Sequence, residues 1–265
     1  MDLNLKNKVA FITGAGMGIA KGIALELAKE GVHISLIEVN EELLKETRGE
    51  IESAGVEVKA ILGSVTKLED IRLAVSSTID TFGRIDILVN SAGATPAGTT
   101  TGISHHDWDQ AFDIKFLGYV RCVKEILPHM IKQGGGKVIN LVGIGATEII
   151  PLHVAGAANN AAVAVLTSYL AQEVGKYNIL VVGINPGLVG PTAKLGRLFE
   201  AIGKERHISV QEVEQEMLAK VPLGRFCQAE DIAKLAVFLA SDANTYITGS
   251  VITIDGGYAK AIRNG

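Results

Sequence analysis

A run of β-favouring residues, Lys8-Val9-Ala10-Phe11-Ile12-Thr13, breaks into three closely spaced glycines, Gly14, Gly16 and Gly18. Apolar residues at helical spacing follow at once, with Ile19, Ile23 and Leu27 on one face. Strand, glycine turn and helix in this order constrain the fold more than any other stretch of the chain. Glycines let the backbone turn tightly and come close to a pyrophosphate, while the N–H groups and positive dipole end of the helix favour an anion. The stretch reads as a phosphate cradle. Similar turns occur with nothing bound, so the chemistry has to come from the rest of the chain.

The chain goes on to alternate apolar strands with amphipathic helices. Val32 to Val39 is a second strand ending near Glu38; Asn40 caps a helix that carries Glu41 and Glu42 in its first turn and stops near Gly55. Val56 to Leu62 is the third strand, and Thr66 with Glu69 has capping-box spacing for a helix reaching about Phe82, ended by Gly83. Ile85 to Val89, Lys137 to Val142, Ile179 to Asn185 and Val251 to Asp255 read as further strands. Between them lie a long helix from about Trp108 to Lys132, a small-residue stretch from Gly143 to Ala164 running into a helix to about Tyr177, and a helix from Glu230 to Ala240. Strand and helix alternation of this kind predicts a single Rossmann-like domain over residues 1–265, a doubly wound parallel sheet of about seven strands with helices on both faces.

Composition fits that expectation. With 265 residues, 48% hydrophobic and 20% charged, the chain can bury a full core, and a net charge of −4 gives no footprint for nucleic acid. The N-terminus lacks an apolar leader segment and no uninterrupted apolar run is long enough to cross a bilayer, so the expected location is the cytoplasm. Cys122 and Cys227 are too few for a disulfide framework or a metal cluster and read as buried thiols; no metal is expected. The run His105-His106-Asp107 also lacks a third ligand at metal spacing, and marks the helix start before Trp108, with Asp107 or Ser104 near the cap.

Ligands of doubly wound sheets bind beyond the carboxyl ends of the strands. Glu38 sits there, about twenty residues after the glycines, where a carboxylate accepts from both ribose hydroxyls of an adenosine and repels a 2′-phosphate. No Arg or Lys lies in the glycine turn or directly after Glu38, so NAD is expected over NADP. A solvated acid before a helix cap is the plainer alternative.

Together, Thr13-Gly14-Ala15-Gly16-Met17-Gly18-Ile19, Asn90-Ser91-Ala92-Gly93, Asn185-Pro186-Gly187, Leu223-Gly224-Arg225 and Ile254-Asp255-Gly256-Gly257 resemble the short-chain dehydrogenases/reductases across nearly the whole length. The resemblance implies NAD(P) binding and a tetramer. It implies a cofactor surface made by Gly14, Gly16, Met17, Gly18, Ile19, Glu38, Ser64, Val65, Asn90, Ala92, Gly93, Pro186, Gly187 and Val189. Ser64 stands where the family usually has an adenine-binding acid, and Ala20 stands at the last glycine of the turn; both changes weaken affinity rather than abolish it. The segment from Thr192 to Lys220, whose acidic part is Val210 to Leu218, matches the family's lid over substrate.

The family's chemistry uses a Tyr one helical turn before a Lys, a Ser thirteen residues earlier and an Asn that relays protons. Asn160-Ala161-Ala162-Val163 aligns with the family's Lys-Ala-Ala-Val run, which puts Asn160 at the Lys position, Gly156 at the Tyr, Gly143 at the Ser and Lys115 at the Asn. None of the four expected types is present there. Glycine at two positions leaves space in the site, and Lys115, if it points inward, puts a cation near the positive ring of NAD+ unless Glu148 or another acid compensates. His153, near the start of the same helix, is the weak substitute for a proton donor, although a satisfied surface histidine is the simpler reading. Asn159 and Asn160 can bond a substrate carbonyl or only the backbone.

The resemblance extends to non-catalytic subunits known in the family, as in the two-chain dehydrogenase of hydroxybenzylsuccinyl-CoA. It implies a catalytically deficient chain that pairs with an active relative in an NAD-dependent dehydrogenase of hydroxyacyl-CoA or alcohol substrates. The two long helices, Trp108 to Lys132 and Ala161 to Tyr177, would form the contact. Alternatives are a homotetramer, and an oxidoreductase, lyase or isomerase that uses His153, Lys115 or Glu148.

Overall fold

A computed structural model describes residues 2–259. Strand β1 (Val9–Thr13) is buried along its whole length because helices cover both faces of the sheet it occupies. Its alternating residues divide accordingly: Ala10 and Ile12 join one apolar cluster and Phe11 the other. Around it lie β2 (His33–Glu38), β3 (Val58–Leu62), β4 (Ile87–Asn90), β5 (Gly136–Leu141), β6 (Ile179–Pro186) and β7 (Val251–Ile254), all parallel, in the order β3-β2-β1-β4-β5-β6-β7. This is the expected single-domain Rossmann-like sheet. The order turns back between β1 and β4, which opens a crevice at their carboxyl ends.

On one face α1 (Gly18–Lys29) packs against α9 (Ala229–Ala240), burying Ile23, Leu27, Ile232 and Val237. The other face carries α3 (Leu68–Phe82), α5 (Gly118–Gln133) and α6 (Val154–Val174), with Ile71, Ile126 and Leu170 in the second cluster. Helix α2 (Glu41–Glu52) starts at Asn40, whose side chain accepts from the Leu43 N–H at 3.0 Å, as its sequence position predicts.

Local expectations fail at several points. The long helix expected from Trp108 begins earlier, as α4 (His105–Phe112), capped by Ser104, one of the two expected caps, and passes through one π-turn at Asp113–Leu117 before α5. Arg121 steadies that widened turn, donating to the Asp113 carbonyl at 3.1 Å and the Val65 carbonyl at 3.2 Å. Thr66 and Glu69 form no capping box: α3 is preceded by Lys67, and Thr66 instead bonds the Ser64 hydroxyl. The second strand stops at Glu38, before Val39. Cys122 is buried, with its thiol pushed up to about 12 by burial, but Cys227 is only half-buried. The small-residue stretch is helical from Val154, and α6 with the turn after it (Val154–Tyr177) is long and apolar enough by length and composition to cross a bilayer, although Asn159, Asn160, Glu173 and Lys176 interrupt its apolar run. Its place is in the core, where Ala155, Val163, Thr167 and Val174 are buried against the sheet.

A buried polar chain ties the site's supports together. The Asn90 amide donates to Asn140 Oδ1 at 3.0 Å, Asn140 donates to Thr167 Oγ1 at 3.0 Å, and Thr167 donates to the Val163 carbonyl at 2.8 Å, linking β4, β5 and α6. Replacing Asn140 by leucine strands a donor on one side and an acceptor on the other. We expect a loss of about 3 kcal/mol in chemical denaturation.

Candidate dinucleotide and reaction site

The glycine turn lies over the crevice. Gly14 (φ +67°) and Gly18 (φ +63°) take left-handed backbone, and a Cβ at 14 would stand 2.8 Å from the Ala92 Cα, so only glycine lets the turn pass the loop after β4. At 18 a Cβ would meet nothing within 4 Å, so the front of α1 is open. Met17 precedes α1 in extended conformation and no side chain caps the helix, so its first N–H groups face that opening, with Ile19 in the same turn.

Glu38 sits beside this turn. Its Oε2 accepts from the Gly16 N–H at 3.0 Å, and its Oε1 accepts from Val39 N–H at 2.8 Å and Asn40 N–H at 3.1 Å. The carboxylate is thereby held at the end of β2, within reach of anything lying along the turn. Two contacts that sequence reasoning missed complete the frame. Thr47 donates to the Gly16 carbonyl at 3.2 Å, and Thr13 Oγ1 accepts from the N–H groups of Ser91 and Ala92 at 3.0 and 3.1 Å. Thr47 carries no local signal, because its partner is far away in the chain.

The other expected cofactor residues follow the carboxyl ends of neighbouring strands. Asn90 is fully buried at the end of β4, and its Oδ1 has no hydrogen-bond partner among the described residues. Gly187 follows β6 and Pro186, and a Cβ there would stand 2.8 Å from the Asp255 Cα. Val189 bridges to Cys227. Ser64 donates its N–H to Asp70 Oδ2 at 2.9 Å, and Val65 beside it is buried against Gly118. A glycine cradle, an uncapped helix start, a fixed carboxylate and an orphaned buried amide oxygen together fit a dinucleotide.

The four positions aligned with the family's catalytic set converge at the carboxyl end of β5. Lys115 comes from the π-turn, is 6% exposed, and donates its Nζ to the Val142 carbonyl at 2.6 Å and to Asn160 Oδ1 at 2.5 Å. Because an ammonium only donates, Asn160 must turn its oxygen to Lys115, and its Nδ2 then donates to the Gly143 carbonyl at 3.2 Å. Cation and amide thus stand on opposite helices from the family's arrangement. The expected empty space at the two glycines is also corrected. A Cβ at 143 (φ +116°) would stand 2.8 Å from Asn160 Nδ2, and a Cβ at 156 would overlap the His153 ring. Asn160 and the His153 imidazole fill what the glycines leave.

His153 is the residue before α6 and bridges to Gly98 in the loop after β4; its ring also crosses the front of Gly145. Asn159 turns inward instead, donating to the Ala155 carbonyl at 3.0 Å. Tyr119 is buried and donates to the Leu141 carbonyl at 3.1 Å, with burial raising its phenol far above the usual range. Tyr169 is exposed and Tyr177 lies under Lys176 beyond the end of α6. Tyr258 went unnoticed in the sequence: it is buried with Ile144, Ile150 and Leu188, and burial and then the Glu148 charge raise its phenol. Helices α7 (Ala193–Arg206) and α8 (Val210–Leu218) close the same apolar cluster with Phe199, Val213 and Met217, where the lid was expected. Among the described residues, no group of three or more His, Cys, Asp or Glu side chains is placed to hold a metal ion.

Sheet order and glycine turn define a doubly wound α/β domain of the Rossmann-like class. The family model described as "Enoyl-(Acyl carrier protein) reductase" matches residues 14–259. An uncharacterized oxidoreductase of Thermotoga maritima is 34% identical over 255 residues, covering 96% of this chain and 98% of that protein. Among solved structures, NAD+-bound xylitol dehydrogenase is 29% identical with a TM-score of 0.92, covering 96% of this chain and all of that one. L-sorbose reductase from Gluconobacter frateurii, complexed with NADPH and L-sorbose, is 32% identical with a TM-score of 0.91 over 99% of this chain and all of that one. The chain belongs to the short-chain dehydrogenase/reductase family.

Proposed function

We propose that the chain is a catalytically deficient, NAD-binding subunit that pairs with an active chain of its own family in a cytoplasmic dehydrogenase of alcohols or hydroxyacyl thioesters. One observation carries this reading. Lys115 donates to the Val142 carbonyl and to Asn160, which in turn donates to the Gly143 carbonyl, where the family places its proton-transfer groups. Such a network acts as a wall of the chamber, and it presents no phenol to a substrate carbonyl. Supporting the thioester class is the acyl-carrier description of the matching family. Dinucleotide bound at the glycine turn would supply or accept hydride in an intact relative; here Gly18 and the start of α1 would hold its phosphates and Glu38 its ribose.

Purification from the native cell under mild conditions tests the pairing. We expect a second short-chain dehydrogenase/reductase chain, carrying a Tyr and a Lys one helical turn apart, in fixed ratio with this one; a homotetramer alone would count against the proposal. The NAD preference has its own test. Glu38 repels a 2′-phosphate, so NAD(H) should bind at least about tenfold more tightly than NADP(H) in titration, and Glu38→Ser should narrow that ratio.

One observation favours a second reading, in which the chain is itself an oxidoreductase. The His153 imidazole occupies the volume that a side chain at 156 would take, and imidazole is a competent acid/base near neutrality. Dehydrogenase turnover lost on His153→Ala would establish it.

A further inference from the structure

Threonines inside helices commonly return their hydroxyl to the carbonyl four residues earlier. Thr78, Thr81 and Thr167 do so here, bonding the carbonyls of Ala74, Ser77 and Val163 at 2.7, 2.8 and 2.8 Å. Thr47 in α2 does not. Fully buried, it donates instead to the Gly16 carbonyl at 3.2 Å, 31 residues away in the chain. Helix α2 sits directly on the glycine turn at this point, since a Cβ at 16 would stand 2.9 Å from Leu43 Cβ. The Gly16 N–H is held as well, on Glu38 Oε2. Residue 16 is therefore fixed on both sides, by side chains of the next strand and the next helix.

In a planar trans peptide the carbonyl and the following N–H point in opposite directions. With the Gly16 carbonyl turned into α2, the Met17 N–H is turned away from that helix. This N–H has no hydrogen-bond partner among the described residues. It belongs to the residue just before α1, whose side chain is exposed, so it stands on the open side of the turn.

We propose that Thr47 is a positioning residue for the dinucleotide: its hydroxyl sets the peptide between Gly16 and Met17 so that the Met17 N–H donates to the ligand's sugar and phosphate oxygens. The inference rests on the reading that the chain binds NAD(H), and assigns part of that affinity to a side chain lying under the turn, out of contact with the ligand. Preorganisation is the physical reason. A donor that is already aimed loses little freedom when the ligand arrives, whereas an unanchored glycine peptide has to be ordered by the ligand itself.

Isothermal titration of the purified full chain with NAD+ and with ADP provides the test. Thr47→Val, which keeps the shape and removes the hydroxyl, should weaken both ligands by about fivefold, roughly the worth of one hydrogen bond. Thr47→Ser, which returns the hydroxyl, should bring both dissociation constants back to within about twofold. Thr78→Val removes an equally buried hydroxyl from α3, away from the turn, and should leave both constants unchanged. A second readout needs no variant: in proton–nitrogen correlation spectra of the unaltered chain, the Met17 amide proton should move downfield on addition of ADP, as a donor does on gaining an acceptor. Circular dichroism identifies a Thr47→Val chain that has failed to fold, in which case the Met17 amide decides the matter. Unchanged affinity in folded Thr47→Val, an equal loss in Thr78→Val, or a Met17 amide that ADP does not move overturns the proposal. Failure of the folded, unaltered chain to bind either ligand overturns the dinucleotide reading itself and this inference with it.

Discussion

Gly156→Tyr is expected to cost about 3 kcal/mol of stability and to yield no active dehydrogenase. At first sight the substitution restores the family's proton donor. In this chain, however, a Cβ at 156 already overlaps the His153 ring, and Gly156 is buried, so a phenol has nowhere to go without displacing the imidazole. His153 in turn is tied by its backbone to the turn before α6, with its N–H on the Ile150 carbonyl at 3.2 Å and its carbonyl accepting from Ala157 at 2.8 Å. With the backbone held, the ring can only rotate, and its other side already lies across Gly145, where a Cβ would be 2.9 Å from His153 Cδ2. In a His153→Ala background the same tyrosine should cost under about 1 kcal/mol, a coupling between adjacent sites that a double-mutant cycle in urea reads directly. Additive costs would mean that the ring does not fill that space.

In the proposed mixed assembly the asymmetry between chains should be larger still. Changing the companion's catalytic tyrosine to phenylalanine should lower turnover by two to four orders of magnitude, roughly the worth of general acid/base catalysis. His153→Ala in this chain should change turnover by less than about twofold, because its imidazole lies over Gly145 and Gly156 in this chain's own chamber, away from the companion's tyrosine. Steady-state kinetics on the reconstituted complex, at saturating NAD+, separate the two cases. Equal losses in both variants would assign both chains to the chemistry.

Most of the sheet was legible because its central strands are covered on both faces and therefore read as nearly unbroken apolar runs, as in Phe11-Ile12 or Ile34 to Ile37. Asn40 and Gly83 announced helix boundaries through local chemistry, a side-chain cap and a left-handed C-cap. Thr66 misled because its hydroxyl had a closer partner in Ser64, and the π-turn at Asp113–Leu117 was hidden because the Arg121 contacts that steady it come from the next helix and reach across to Val65. The glycine cradle and Glu38 were visible as motif and spacing, whereas Thr47 acts across the fold and could not be seen. The reaction site was the least readable part. Substitution at four positions was plain from the sequence, but that His153 and Asn160 would turn into the room left by Gly156 and Gly143 depends on side-chain packing that no periodicity encodes.

The central claim is that this chain keeps the family's nucleotide crevice while its own reaction chamber moves no proton. NADH formation by the purified chain alone, followed at 340 nm with NAD+ and a panel of alcohols and hydroxyacyl thioesters, tests it most directly. The account predicts a rate indistinguishable from background, at least two orders of magnitude below an intact relative. Sustained turnover that disappears on His153→Ala would contradict it.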